Sequence, residues 1–209
     1  MQYLFSRRRL VFCENAAYYP KAGYRSLMGE HVCPPWLSFL LTNVFRRMAH
    51  DPDRILARFL KEGDVAVDVG CGPGFFTIPM ARRVGEKGLV VAVDIHPGLL
   101  EKTRKRAERA GVAGRIRLHL GRKDRLGLDL KADFALAFWM AHEVADQARL
   151  FAEVAATLKP GGLLLLVEPR MHVAEGPFAE IVAAAESAGF ERHGKEVIRL
   201  SRAVVLRCH

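Results

Sequence analysis

The sequence predicts an α/β fold in which a doubly wound, mostly parallel sheet carries helices on both faces. Strand-sized apolar runs alternate with stretches of helical composition along most of the chain, which is the pattern of βαβ units. Several of these runs are continuously apolar, as expected for strands that are buried on both faces. The longest, Leu163 to Val167, is far too short to span a membrane, so we expect no membrane insertion.

The chain has 209 residues, of which 50% are hydrophobic, and it can bury one full core. We expect an N-terminal extension with one helix over residues 1–50 and one domain over residues 51–209. The basic residues near the N-terminus follow the first apolar ones, the reverse of the order in a secretory signal. The cysteines show neither C-x-x-C nor zinc spacing, so we predict a reduced, cytoplasmic protein without a metal site.

The region before the first strand contains two predicted helices. Residues 1–35 show no periodic pattern. A helix with one apolar stripe is predicted from Trp36 to about Met48, directly after two prolines. A second helix, with Asp51 as its N-cap and proline at its first position, is predicted to end at Lys61 because a glycine follows closely.

The most informative stretch contains a strand, a tight glycine turn and the start of a helix. Val65 to Val69 has the β-branched composition of a buried strand, and Phe75 to Val84 has the composition of a helix. Between them, Gly70, Gly72 and Gly74 permit positive φ angles and a close approach of the backbone to a ligand. The free amides at the start of the helix are expected to point at that ligand.

The glycine spacing and two acidic residues indicate the kind of ligand. The spacing is G-x-G-x-G, whereas the dinucleotide pattern is G-x-G-x-x-G, and Phe75 occupies the position of its third glycine. A pyrophosphate is therefore not favoured. Asp68, at the end of the first strand, would repel a phosphate but suits a cationic ligand such as an aminoacyl sulfonium. Asp94 ends a second apolar strand that starts at Val90, at the position where a ribose diol is held.

This pattern resembles the signature of class I S-adenosylmethionine-dependent methyltransferases, and the resemblance runs from roughly Pro52 to the C-terminus. It implies a Rossmann-like sheet of seven strands, mostly parallel with the last strand antiparallel, and S-adenosylmethionine as the cofactor. It also implies that Asp68 lies near the methionine ammonium, that Asp94 binds the ribose hydroxyls and that the N-terminal segment folds over the cofactor as a lid. The other residues expected along the cofactor are Gly70, Cys71, Gly72, Gly74, Phe75, Ile95, Phe138 and Trp139.

The next elements lead to a candidate adenine contact. A helix that starts at Pro97 and a third strand over residues 115–120 are predicted. In the turn after this strand, the resemblance implies an acidic residue against the adenine amino group, often directly after the glycine. Arg122 occupies that position here, so Asp124 is the candidate. Backbone amides near the turn, or a simple capping role for Asp124, stay open as alternatives.

The fourth predicted strand, Ala132 to Phe138, ends where ligands bind in open α/β sheets. Trp139 follows as an apolar wall of the transfer cavity, and the aromatic-x-x-His pattern resembles that of small-molecule methyltransferases. His142 is the candidate general base, since an imidazole accepts a proton near neutral pH. Glu143 is expected to share that role or to orient His142. A histidine that caps a helix or bonds the backbone is the open alternative.

The C-terminal elements complete the predicted sheet. Asp146 is the N-cap of a helix that reaches Leu158, and Leu163 to Val167 is the fifth strand. Glu168 and His172 follow that strand and are expected to face the acceptor as a second acid–base pair. The remaining predicted elements are a helix over residues 176–188 and an antiparallel hairpin with strands over residues 190–198 and 202–207.

These features predict in-line transfer of a methyl group from S-adenosylmethionine to a small-molecule acceptor. A net charge of +9 leaves an RNA-associated methyltransferase as an alternative, although the basic helix after the second strand interleaves acidic residues and lacks aromatics for base stacking. A metalloid methyltransferase that uses Cys13 and Cys33 is a further alternative. Outside the methyltransferases, an NAD-dependent oxidoreductase or a non-catalytic cofactor-binding protein is considered. The sequence leaves the oligomeric state open.

Overall fold

A computed structural model describes residues 50–209 of the chain. The expected lid with its helix over residues 36–48, together with Cys13 and Cys33, lies outside the described residues. Within residues 50–209, seven strands form one sheet. They are β1 (Val65–Val69), β2 (Leu89–Asp94), β3 (Ile116–Leu120), β4 (Ala132–Phe138), β5 (Leu158–Pro169), β6 (Phe190–Lys195) and β7 (Ser201–Cys208).

The strand order within the sheet is β3-β2-β1-β4-β5-β7-β6. Strands β1 to β5 are all parallel to one another. Strand β7 runs antiparallel to both of its neighbours, β5 and β6. The predicted sheet of seven strands, mostly parallel with an antiparallel last strand, is confirmed. Because β7 is reversed, its first residues lie at the same edge of the sheet as the carboxyl ends of β4 and β5.

Helices cover both faces of this sheet. Those of the described residues are α1 (Pro52–Leu56), α2 (Thr77–Val84), α3 (Pro97–Arg109), α4 (Gln147–Thr157) and α5 (Glu175–Ser187). Buried side chains of α1, α2 and α3 form one core cluster with one face of the strands, and those of α4 and α5 form another with the opposite face. None of the helices in residues 50–209 combines the length and apolarity that crossing a membrane requires.

The first helix is shorter than the sequence predicts. Asp51 caps it as expected, because its Oδ1 accepts hydrogen bonds from two backbone amides at 3.1 and 3.3 Å. The helix ends at Leu56 rather than Lys61. The Asp64 carboxylate accepts a hydrogen bond from the Lys61 amide at 3.0 Å. This side-chain acceptor replaces the backbone carbonyl that a continuing helix would supply.

Two further boundaries differ from the prediction for local reasons. Helix α2 begins at Thr77 rather than Phe75, with Phe76 as its N-cap, after a turn in which Gly74 adopts a left-handed conformation with φ of 79°. Strand β5 begins at Leu158, because this residue pairs with Ala132 before a shift in the strand register. Residues 159–162, which the prediction left between the helix and the fifth strand, therefore lie within the strand.

Candidate active site

The glycine turn between β1 and α2 has a closed side and an open side. A Cβ atom at Gly70 would lie 2.9 Å from Met140 Cβ, and one at Gly74 would lie 2.9 Å from Thr103 Cγ2. Neither position has room for a side chain. A Cβ atom at Gly72, by contrast, would meet no atom of the described residues within 4 Å. The turn therefore presents the Gly72 backbone to a ligand.

Asp94 links the end of β2 to this turn. Its Oδ2 accepts a hydrogen bond from the Gly72 amide at 2.9 Å, and its Oδ1 accepts one from the His96 amide at 2.8 Å. Burial raises the pKa of the Asp94 carboxyl, although the hydrogen bonds from these amides oppose the change. Asp94 is thus a fixed hydrogen-bond acceptor beside the open side of the turn.

Asp68 and Cys71 lie on the same turn and are buried. Oδ2 of Asp68 accepts a hydrogen bond from Thr77 Oγ1 at 2.6 Å, which ties the end of β1 to the start of α2. Burial, together with the charges of Asp68 and Asp94, raises the pKa of the Cys71 thiol well above its usual range. A protonated, buried thiol is a poor nucleophile, which agrees with a structural role for Cys71. The two carboxylates favour a cation and disfavour a phosphate at this turn.

Trp139, directly after β4, has a left-handed backbone with φ of 60°, a rare conformation for a bulky residue. Its amide donates to Val167 O at 2.7 Å, and its Nε1 donates to Ser201 Oγ at 3.0 Å. The His50 ring meets the rings of Phe138 and Trp139 edge-on, at centroid distances of 5.2 and 4.9 Å. Contacts from β5 and β7 therefore hold the indole in a fixed orientation at the end of β4.

A polar pair joins His142 to Glu168 at the same edge of the sheet. His142 lies in a short 3₁₀ turn over Ala141–Glu143, and its Nδ1 hydrogen-bonds Glu168 Oε2. Glu168 Oε1 accepts from the Ala141 amide at 2.9 Å and from the His142 amide at 3.3 Å. The Glu168 side chain is fully buried, whereas the His142 side chain is 24% exposed. Because a carboxylate only accepts hydrogen bonds, Nδ1 carries the proton and Nε2 keeps its lone pair.

Opposing influences set the pKa of His142. Burial alone would lower this pKa, since it penalises the charged imidazolium. The hydrogen bond and charge of Glu168, with the charge of Glu143, outweigh burial and raise the pKa of His142 above its ordinary value. The pKa of Glu143 is raised by burial and by the charges of Glu168 and Asp94, while His142 opposes this change. The His142 ring therefore bonds the Glu168 carboxylate. The alternative considered for this residue was a bond to the backbone.

Glu168 hydrogen-bonds His142, whereas the sequence suggested an acid–base pair of Glu168 with His172. The expectation that Glu168 and His172 face the acceptor stays a prediction. Strands β4 and β5 are neighbours, so the residues that follow their carboxyl ends meet at one edge of the sheet. The His172 amide instead donates to Pro169 O at 3.1 Å, and the residue is exposed. Its ring centroid lies 6.3 Å from that of His142.

Three other residues predicted along the cofactor lie in different settings. Asp124 is exposed on a turn that Arg122 and Arg125 close through their backbones, and its carboxylate lies 3.3 Å from Arg122 Nε. Its contact with adenine stays a prediction. Ile95 is 37% exposed at the end of β2, whereas Phe75 is buried within the core on the α1–α3 side of the sheet.

Sequence reasoning missed two residues of α3 that support the glycine turn. Thr103 Oγ1 donates to Gly72 O at 2.9 Å, and Arg106 Nη1 donates to Pro73 O at 2.8 Å. Both belong to a helix rich in charged residues, where neither stands out by composition. Their three-residue spacing places them on one face of the helix, which is the signal that could have identified them.

Within the described residues, no group of three or more His, Cys, Asp or Glu side chains could hold a metal ion. Cys71 and Cys208 are buried and form no disulfide.

Comparison with known proteins assigns a family to the central part of the chain. Residues 66–162 match a family described as a methyltransferase domain. A demethylmenaquinone methyltransferase from Symbiobacterium thermophilum is 33% identical over 123 residues, which is 58% of this chain and 47% of that protein. A ribosomal protein L11 methyltransferase from Pelotomaculum thermopropionicum is 34% identical over 137 residues, 65% of this chain and 41% of that protein. The chain thus spans about half the length or less of these curated relatives.

Solved structures show the same fold. The crystal structure of a SAM-dependent methyltransferase from Aquifex aeolicus aligns with a TM-score of 0.75 at 24% identity, covering 84% of this chain and 99% of that one. The matched family region contains the glycine turn, Asp94 and His142 but ends before Glu168. The carboxylate partner of His142 and the whole of β7 therefore lie beyond the region that the family match covers.

Proposed function

We propose that this chain, whose residues 66–162 match a methyltransferase domain, transfers a methyl group from S-adenosylmethionine to a small-molecule acceptor from which His142 removes a proton. The observation that carries this proposal is the hydrogen-bonded pair of His142 and Glu168 at the edge where β4 and β5 end. Open α/β sheets bind their ligands at this edge.

The residues of the glycine turn fit S-adenosylmethionine. The open space at Gly72 lets a ligand approach the backbone, and the Asp94 carboxylate beside it suits the ribose hydroxyls. Asp68 suits the cationic end of the ligand and disfavours the phosphates of a nicotinamide dinucleotide. When bound, this cofactor supplies a sulfonium methyl group that is already activated for direct displacement.

His142 is suited to act as the general base. Glu168 keeps the proton on Nδ1, so Nε2 presents a lone pair, and the same carboxylate stabilises the imidazolium that forms when Nε2 accepts a proton. A positioned base of this kind contributes about 10²–10⁴-fold to the rate. Trp139, against which the buried Phe138 packs, contributes by positioning, because holding the acceptor in a near-attack geometry supplies up to roughly 7–11 kcal/mol.

Two observations support a small molecule over a nucleic acid. The half-buried Trp139 offers aromatic surface at the acceptor edge, the edge of the sheet where β4 and β5 end, and a relative with 33% identity is named for demethylmenaquinone. The basic residues of α3, in contrast, are partly neutralised within the helix. Arg104 forms ion pairs with Glu101 and Glu108, and its hydrogen bond lowers the pKa of Glu101 to about 2. This pattern is typical of a solvated helix face.

Transfer of a radioactive methyl group tests the proposal. The purified protein is incubated with methyl-labelled S-adenosylmethionine and, in separate reactions, with naphthohydroquinone, 3,4-dihydroxybenzoate or total RNA. We expect label to appear on a small phenolic acceptor and not on RNA. Label on RNA alone would contradict the proposed acceptor class, and the absence of transfer to any acceptor would count against the activity.

A further inference from the structure

Arg202 lies at the acceptor edge of the sheet, outside the family match. Strand β7 is antiparallel, so its first residues neighbour the carboxyl end of β5, and Arg202 is directly opposite Glu168 in the register. Side chains of directly opposed residues project from the same face of a sheet. Arg202 therefore lies on the face from which Glu168 reaches His142.

The guanidinium of Arg202 is incompletely bonded. Its Nη1 atom is buried and has no hydrogen-bond acceptor among the residues that the structure describes. The residue as a whole is only half-buried, so an acceptor reaches the guanidinium through its other donors. Glu168, directly opposite, does not supply one: its oxygens bond Ala141 and His142 and form no hydrogen bond with Arg202. Within residues 50–209, no carboxylate lies within ion-pair distance of Arg202. Arg192 and Arg207, on the same hairpin, pair with Glu186 and Glu191.

A buried guanidinium nitrogen without an acceptor is unusual, because removing a cationic donor from water is unfavourable unless a partner replaces the water. Arginine presents its donors as a planar fork that matches a carboxylate or another oxyanion. The surroundings of Arg202 are also preorganised. Ser201 Oγ accepts from Trp139 Nε1 at 3.0 Å, and Ser201 O accepts from Arg170 Nε at 2.8 Å, which fixes the backbone next to Arg202.

We propose that Arg202 binds an oxyanion of the methyl acceptor, so that the acceptor is an anionic small molecule spanning the space between Arg202 and His142. This inference rests on the proposed function and deepens it, because it names the chemical class that the acceptor edge selects. Arg202 is then a specificity-determining residue, whereas His142 acts on the proton of the reacting group. A carboxylate is the oxyanion that best matches the guanidinium fork.

Small carboxylates and their neutral amides test this inference without a known acceptor. Formate and benzoate are compared with formamide and benzamide, at constant ionic strength and with S-adenosylhomocysteine present, by the melting temperature and by calorimetric titration. We expect the carboxylates, and not the amides, to raise the melting temperature of the wild-type protein. Arg202→Gln should weaken benzoate binding at least about tenfold, and Arg202→Lys should retain part of it, since lysine keeps the charge but lacks the fork.

Arg207→Gln is the matched control, because Arg207 lies on the same strand but pairs with Glu191 at 3.7 Å on an exposed surface. It should leave the preference for carboxylates unchanged. The inference is overturned if the wild-type protein treats carboxylates and amides alike, or if Arg202→Gln and Arg202→Lys both bind benzoate as the wild type does. If S-adenosylhomocysteine itself fails to stabilise the wild type, the proposed function fails as well; if it stabilises without any carboxylate preference, only this inference fails.

Discussion

The cofactor turn and the acceptor edge of this site are built in different ways. The turn is continuous in sequence, since Asp68 and the three glycines lie within one short stretch and Asp94 ends the next strand. The acceptor edge combines residues that are far apart: His142 and Glu168 are separated by 26 residues, and Trp139 and Ser201 by 62. The first is a local motif, whereas the second exists only because β4, β5 and β7 are neighbours in the sheet.

The chemical contacts of the two regions also differ. The turn is held by backbone amides that donate to Asp94 and by a threonine that donates to Asp68. The acceptor edge is held by contacts between side chains, including His142 with Glu168 and Trp139 with Ser201. We therefore expect changes at the turn to act on folding and cofactor affinity, and changes at the acceptor edge to act on turnover.

The largest effect is expected at the acceptor edge. His142→Ala removes the base and should lower the rate of methyl transfer by about 10²–10⁴-fold while leaving the affinity for S-adenosylhomocysteine unchanged. Turnover and calorimetric affinity measured on the same preparation separate these quantities. His172→Ala is the control, since that side chain is exposed and makes no bond to Glu168. An equal loss of cofactor affinity in His142→Ala would make the residue structural.

The next largest effect is expected at the turn, on folding stability. Gly74→Ala and Gly111→Ala both place an alanine at a positive φ, with φ of 79° and 69°, at a cost of about 1–2 kcal/mol each. Only the Cβ at position 74 also meets Thr103, which adds about 1–3 kcal/mol of overpacking. Chemical denaturation should therefore show a larger loss of unfolding free energy for Gly74→Ala. Equal losses in the two variants would contradict the tight packing of the turn.

A smaller effect is expected from the hydroxyl that holds the indole. Ser201→Ala leaves Trp139 Nε1 without its acceptor and should lower the free energy of unfolding by about 1–3 kcal/mol. In a Trp36→Phe background, the fluorescence of Trp139 should also change. Ser187→Ala is the matched control, because the Ser187 hydroxyl donates to a backbone carbonyl on an exposed helix surface. A variant at position 201 that behaves like this control would show that the indole is held by packing alone.

The smallest effect is a displacement along the pH axis. Because the pKa of His142 is raised above 6.5, the imidazole stays protonated to higher pH, and turnover should rise with a midpoint above that value. Glu168→Gln removes the charge that raises this pKa, so the midpoint should move to lower pH, and Glu143→Gln should move it less. The stabilisation from the charged pair is complete below 6.5 and is lost as pH rises through the raised pKa. A wild-type midpoint at or below 6.5 would contradict the role of Glu168.

The extent to which each region could be predicted follows from this difference in construction. The cofactor turn could be predicted from the glycine spacing, Asp68 and Asp94, because a turn and two strand ends impose fixed distances along the sequence. His142 was predicted as the base from its place after β4, but its bond to Glu168 was not foreseen, because the choice between His142 and His172 depends on where the loop after β5 turns. Arg202 carried no local signal, since only the strand register sets it opposite Glu168.

The decisive measurement is the affinity of S-adenosylhomocysteine for Asp94→Ala, determined by isothermal titration calorimetry beside the wild type and Asp124→Ala. We expect that the wild type binds and that Asp94→Ala binds at least about tenfold more weakly, because a buried carboxylate that accepts hydrogen bonds is lost. Binding by Asp94→Ala as tight as that of the wild type would contradict the claim that the glycine turn and the tip of β2 hold the cofactor.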